Sequence, residues 1–157
     1  MEGAIPAAAA AAADYLRLGE AEAVLVRATA TALALAEAFC GQRLIVRGFE
    51  QTLVAAPGWQ RLAELPVRAI TAPAAGAAID IDGHGIGWVR SGAAVTVAYS
   101  AGLAANWDLL AAPLQQGVVL LAAHLFEHRD GRAEPPAAVA ALWRPYRRMR
   151  LAAEARP

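Results

Sequence analysis

Between Val118 and Phe126 the chain offers a single polar side chain, His124, and no other stretch constrains the fold so tightly. A helix through this run is apolar nearly all the way round, so it must be buried on most sides or cross a membrane. Crossing takes about 20 apolar residues, and Pro113, Gln115, Gln116 and Gly117 interrupt the run on its N-terminal side. The stretch therefore predicts the central buried helix of a soluble domain. Pro113 suits its first turn, where a missing N–H leaves nothing unsatisfied. Gly131 suits a stop just beyond Arg129, whose charge complements the helix dipole.

The remaining chain predicts two helices before this one and a β-rich stretch between. Pro6 to Leu18 reads as a short helix ended by Gly19, with Tyr15, Leu16 and Leu18 turned to the core. Glu20 to Cys40 is the longest periodic run, with Val24, Leu25, Ala28, Leu35, Ala38 and Phe39 near helical spacing and Gly41 as its stop. From Arg43 the pattern shortens and alternates. Residues 44–47, 51–54, 67–70, 78–81, 87–90 and 94–99 predict strands, bounded by Gly, Pro and Asp-Gly signals. Asp82-Gly83 predicts a hairpin turn. After a loop over 101–112 and the central helix, Pro135-Pro136 opens a last helix with Val139, Leu142, Trp143 and Tyr146 on one face. Pro145 disfavours helix at Arg144, which predicts a kinked or extended end.

The expected architecture is α+β. A mostly helical bundle surrounds a central buried helix, and a small antiparallel β module is inserted between N- and C-terminal helices. The 157 residues fit one domain, divided into N-terminal helices (1–42), β module (43–100), C-terminal helices (101–143) and a basic tail (144–157). Cys40 is the only cysteine, which excludes an intramolecular disulfide and predicts a reducing compartment. Glu2 replaces the basic start of a secretory signal, so synthesis in the cytoplasm is expected. All fourteen cations are arginine and the formal net charge is zero, which argues against sequence-blind nucleic-acid binding by the whole surface.

Few residues suggest chemistry. His124-Leu-Phe-Glu127-His128 matches H-x-x-E-H, the spacing with which a helix presents two imidazoles to zinc. A zinc hydrolase needs a third ligand from well downstream, and beyond Asp130, which adjoins the motif, only Glu134 and Glu154 follow as carboxylates. The plain reading is preferred: His124 is largely buried, hydrogen-bonded and metal-free, and Glu127-His128-Arg129 is a solvated helix end. Asp80-Ile-Asp82-Gly83-His84-Gly85 lacks the bidentate Glu of a calcium loop, since Ser91 stands in its place. Ser91 and Ser100 lack a nucleophile frame. No catalytic set, cofactor site or metal site is expected.

Charge is unevenly placed. Residues 143–157 carry net +4, whereas residues 1–40 carry net −3. A basic tail can meet nucleic acid, an anionic membrane or an acidic protein face, or it can simply be solvated. Tyr146 and Met149 among Arg144, Arg147, Arg148 and Arg150 favour a protein partner, because Tyr, Met and Arg are enriched in such contacts. A DNA-binding module that uses this tail is the alternative, without a helix-turn-helix pattern to support it.

The string from Leu120 to Arg129, the double proline, and Ala141-Leu-Trp-Arg-Pro-Tyr-Arg-Arg-Met-Arg-Leu151 resemble the C-terminal part of a known family. These are the head–tail connector (adaptor) proteins of tailed bacteriophages and phage-derived gene transfer agents. Phe39-Cys-Gly-Gln-Arg-Leu44, Leu65-Pro-Val67 with Ile70, and Val97-Ala-Tyr-Ser-Ala-Gly102 follow the family's order, while the alanine tract over residues 7–13 departs from it. The resemblance implies a virion structural protein of the neck and not an enzyme. It implies a homo-oligomeric ring of twelve subunits between the portal and a tail-side stopper or terminator protein. DNA would pass through the ring without sequence-specific binding, and no membrane or cofactor would be involved. Arg144, Tyr146, Arg147, Arg148, Met149 and Arg150 are then candidates for contact with the portal or a neighbouring subunit.

Overall fold

A computed structural model describes residues 3–72, 76–129 and 132–148. Four helices bracket six strands: α1 (Ala4–Tyr15), α2 (Ala23–Cys40), β1 (Arg47–Leu53), β2 (Ala56–Arg61), β3 (Val67–Ala72), β4 (Ala78–Ile81), β5 (Gly87–Ser91), β6 (Val95–Ala101), α3 (Ala112–Glu127) and α4 (Ala137–Trp143). The α+β layout, with an antiparallel β module between helical parts, is the one the sequence predicts.

α3 packs against α1, α2 and α4, and its Leu114, Val118, Leu121 and Ala122 are buried. Fully burying a Leu or Val side chain contributes about 1.5–3 kcal/mol, so this helix organises the core. α1 supplies Ala4, Ala8, Ala12 and Ala13 to the same core, and Ala9 is buried as well. Alanine adds little area but permits close approach of helix axes, which gives the N-terminal alanine tract a packing role. Tyr15, expected inside, is instead 53% exposed, because the alanine face already fills the contact.

α2 buries Leu25, Ala28, Thr29, Ala32, Leu33, Ala36, Glu37 and Cys40, a 3–4 spacing that leaves Leu35 and Ala38 outside. Gly41 ends the helix in the left-handed conformation (φ 66°), donating its N–H to the Glu37 carbonyl, the device glycine suits best. This helix is long and apolar enough to span a bilayer by composition alone. Its packing against α1 and α3, and the ion-paired Glu37 on its buried face, make it a core helix.

The strands form two three-stranded antiparallel sheets, ordered β1-β6-β3 and β2-β5-β4. Val95, Val97 and Tyr99 alternate inward along β6, the central strand of the first sheet. Of the expected strand over 44–47, only Arg47 is in a strand, as the first residue of β1, and Ile45 makes an isolated bridge to Ala104. Residues 43–46 cross between the two parts instead: Arg43 N–H donates to Leu65 O (2.7 Å), and Val46 N–H donates to Ala104 O (2.8 Å). Gly102 (φ 150°) lets this crossing pass, since a Cβ there would lie 2.4 Å from Val46 N. β2, which Pro57 and Gly58 disguise as a turn, is an edge strand with a register shift between Ala56 and Gln60. The Asp82-Gly83 turn joins β4 to β5 as predicted. Asp82 Oδ1 accepts from the His84 and Ile86 amides at 2.9 Å each, and Oδ2 from Trp88 Nε1 at 3.0 Å. Those amides and the indole hold its carboxyl below the usual range against the opposing effect of burial.

Candidate functional site

The basic segment starts from α4. Trp143 lies over Gly117, where a Cβ would stand only 2.1 Å from its Nε1, and that Nε1 reaches Leu114 O at 3.4 Å. Its ring centroid is 5.9 Å from that of Phe39 on α2. From this anchor Arg144–Tyr146 continues as one 3₁₀ turn with Pro145 in it, a position where proline's missing N–H is harmless. Pro145 therefore extends the helix by a turn rather than breaking the chain away from it.

The next residues return to the body. Helix α2 leaves carbonyls without partners at its C-terminus, as every helix does. Arg148 N–H donates to one of them, Cys40 O, at 2.8 Å. The Gln42 amide donates to Tyr146 O at 2.7 Å, and the Arg147 guanidinium lies over the Phe39 ring at 5.7 Å. The Arg148 guanidinium also donates to His84 O in the β4–β5 turn. The expectation of a segment projecting from Pro145 is thus corrected for residues 144–148, which form a strap across the end of α2. Arg144 and Arg147 present exposed side chains, and Tyr146 and Arg148 are half-buried. Met149, Arg150 and Gly131 lie outside the described residues, and α3 stops at Glu127, before Arg129, with the His128 N–H closing onto His124 O.

Beside this strap lies a charged cluster that the sequence reading missed. Glu37, buried on α2, accepts two parallel hydrogen bonds from Arg47 (2.8 Å each), one from Arg43 Nη1 (2.9 Å) and one from the Leu44 amide (3.0 Å). Arg43 grips Glu64 with Nε (2.5 Å) and Nη2 (2.8 Å). Both guanidiniums lie over the Phe49 ring, at 5.6 and 5.3 Å. Burial pushes the Glu37 carboxyl up, but Arg47, Arg43 and the Leu44 N–H outweigh it and hold the group below its ordinary value. The same carboxylates push the Arg43 guanidinium up against its own desolvation. An acid on the apolar face of a helix, followed by arginines four residues apart, was the available signal. The cluster joins α2 to the β module, with both Glu37 oxygens engaged by guanidiniums and the Leu44 amide.

His124 is half-buried rather than largely buried. Its Nε2 lies 3.1 Å from Ala133 O, and His128 Nδ1 lies 3.1 Å from His124 O. The two rings stack at 4.6 Å, each with one nitrogen engaged by a carbonyl. Among the described residues no group of three His, Cys, Asp or Glu side chains is placed to hold a metal ion. The zinc reading therefore lacks its third ligand there. Cys40 is buried, and burial pushes its thiol up to about 11, the opposite of what a nucleophile requires.

No family model and no curated protein matches the chain. Solved structures match it over nearly its whole length. A chain in the neck of an empty GTA particle computed with C6 symmetry is 30% identical, with a TM-score of 0.73 over 94% of this chain and 92% of that one. A chain in the neck of a native GTA particle computed with C12 symmetry is 29% identical, with a TM-score of 0.74 over 96% and 94%. A chain in the virion of a native gene transfer agent (GTA) particle is 29% identical, with a TM-score of 0.72 over 96% and 95%.

Proposed function

The chain belongs to the head–tail connector family of tailed bacteriophages and phage-derived gene transfer agents, and from that premise we propose that it is a structural subunit of a particle neck. The observation that carries this reading is the end-to-end match. The match covers 94–96% of this chain and 92–95% of the related ones, so the likeness is to a whole neck subunit and not to a shared motif.

In this reading the subunit has no chemistry of its own and works by making contacts. Copies close into a ring, twelve in number where the C12 symmetry of the related neck applies, and DNA passes through the centre without sequence-specific binding. The strap is the docking element. Arg144, in the 3₁₀ turn, and Arg147, just after it, offer exposed side chains on a segment bonded to the body, and Arg150 continues the charge in the sequence. A planar guanidinium pairs carboxylates with two parallel bonds, so an acidic face of the portal is a suitable receiver. A tail-side stopper or terminator protein would meet another face of the ring.

Imaging of particles made with and without this protein tests the role. The expected result is density for it between head and tail, and tailless heads when it is absent. Complete particles formed without it would refute the role. Docking is tested separately by Arg144→Ala with Arg147→Ala, and by deletion of residues 149–157. Arg148 must be kept, because its amide closes α2. The variants are expected to fold normally and to join heads to tails poorly.

A further inference from the structure

The two most exposed large apolar side chains among the described residues are Val54 (71%) and Leu109 (69%). They belong to different parts of the fold and to surfaces of opposite shape. Val54 stands on the corner between β1 and β2, where the chain passes from one sheet to the other. The ten residues from Gln51 to Gln60 carry no charge, and Val54, Ala55, Pro57 and Gly58 are exposed. The corner is braced: Gln60 Nε2 donates to Val54 O at 2.8 Å, and Gln51 Oε1 accepts from the Ala63 amide at 2.9 Å. It is a stiff apolar projection.

Leu109 stands in the loop before α3, in the chain between Trp107 and Ala112, which together with Ala11, Tyr15 and Val119 line a groove of about 350 Å³ between α1 and α3. On α3 the groove residues Gln115, Gln116 and Val119 lie on the side away from Leu114 and Gly117, which meet Trp143. The groove therefore opens away from α4 and its strap. Charge divides the two surfaces as well. Asp14 and Asp108, both exposed, adjoin Tyr15 and Leu109 in the chain. Beside the corner, exposed Arg90 lies over the Trp59 ring at 5.0 Å.

We propose that, around the ring, the Val54 corner of one copy seats in the Tyr15–Trp107 groove of the next and against the Leu109 loop, with Arg90 facing Asp14 and Asp108. This rests on the neck reading above. A cyclic ring needs two unlike surfaces that fit each other. This pair supplies an apolar projection and a recess lined by Ala11, Tyr15, Trp107 and Val119 with two glutamines, and opposite charges alongside. Covering Val54 and Leu109 also removes from water the side chains that the lone subunit leaves most exposed.

Cysteine cross-linking in assembled particles tests the contact. Buried Cys40 is the only native cysteine, so a short bismaleimide reads introduced thiols alone. Val54→Cys with Leu109→Cys is expected to give a ladder of multimers of this chain, and each substitution alone is expected to give none. Arg90→Asp is expected to lower incorporation into particles at least roughly tenfold, since like charges juxtaposed in an interface are strongly unfavourable. Asp14→Arg with Asp108→Arg should restore it. Wild-type protein missing from the necks would overturn the neck reading itself. Protein present at normal amounts in the double-cysteine particles without a ladder, or Leu109→Cys linked to a different protein, would overturn this contact alone. Unchanged incorporation of Arg90→Asp would overturn the charge pairing.

Discussion

Glu37→Gln isolates the charged joint between α2 and the β module. The substitution keeps the shape of the side chain and one oxygen for the Leu44 amide, but removes the charge that two guanidiniums share. Breaking a buried ion pair from one side costs about 3–5 kcal/mol. Two features lower that figure here. Arg43 keeps its paired bonds to Glu64, and the Arg43 and Arg47 side chains are 32% and 20% exposed, so water screens what is left behind. A loss of roughly 2–3 kcal/mol remains, which for a domain of this size lowers Tm by about 4–12 °C.

The pH dependence carries the sharper test. Glu37 is held below its ordinary value of 4.5 in the folded protein, so near and below that pH the folded state binds fewer protons than the unfolded chain. Its contribution is therefore complete above the unfolded value and is lost as pH falls through the folded one. Thermal unfolding of both proteins between pH 7 and pH 3 should show a gap that is wide and constant at neutral pH and narrows below about 4.5. Equal Tm values at pH 7, or a gap that does not change on acidification, would refute the account of the joint.

Gly117→Ala should destabilise by about 1–3 kcal/mol through overpacking against Trp143, against the gain of about 1 kcal/mol that Ala ordinarily brings to a helix interior; denaturant titration reads the sign. Gly102→Ala should unfold earlier still, because its Cβ would meet main-chain atoms of Val46, and failure to express in soluble form is an accepted outcome. Cys40 should resist maleimide in the native protein at pH 8 and react on addition of denaturant, since its thiol is buried and pushed up to about 11; rapid native labelling would contradict the packing of α2.

Local features were legible because their causes are local. Gly41 stops α2 by adopting a conformation that other residues avoid, and Asp82 binds amides two and four residues ahead. The alternation of Val95, Val97 and Tyr99 marks a half-buried strand whatever pairs with it. β2 was illegible because Pro57 and Gly58 are tolerated only through its edge position and its irregular register. Leu44, Ile45 and Val46 have strand chemistry, yet Leu44 O and Val46 N–H both bond to Ala104 in the loop before α3, and the Leu44 amide goes to the Glu37 carboxylate. Tyr15 misled because α1 buries alanines, whose pattern carries little weight on a hydropathy argument. Of the candidate site, the composition of the basic segment was visible and its placement was not. The bond between Gln42 and Tyr146 spans 104 residues of sequence, and nothing in either neighbourhood points to the other.

That placement changes how the basic segment can act. Glu37, Cys40, Gln42 and Arg43 fall within seven consecutive residues at the end of α2. On one side they hold Arg47 and Glu64 of the β module, and on the other Tyr146 and Arg148 of the strap. Arg148 also touches the β4–β5 turn at His84. A displacement applied at residues 144–148 is therefore shared by the end of α2 and by both sheets, through hydrogen bonds that a flexible tail would not make. The strap positions Arg144 and Arg147 as part of the body, so their spacing is set by the fold before any partner arrives. If the proposed docking role holds, preorganised cations of this kind lose less side-chain and backbone freedom on docking than a free tail would, and contact geometry rather than charge alone would then set specificity.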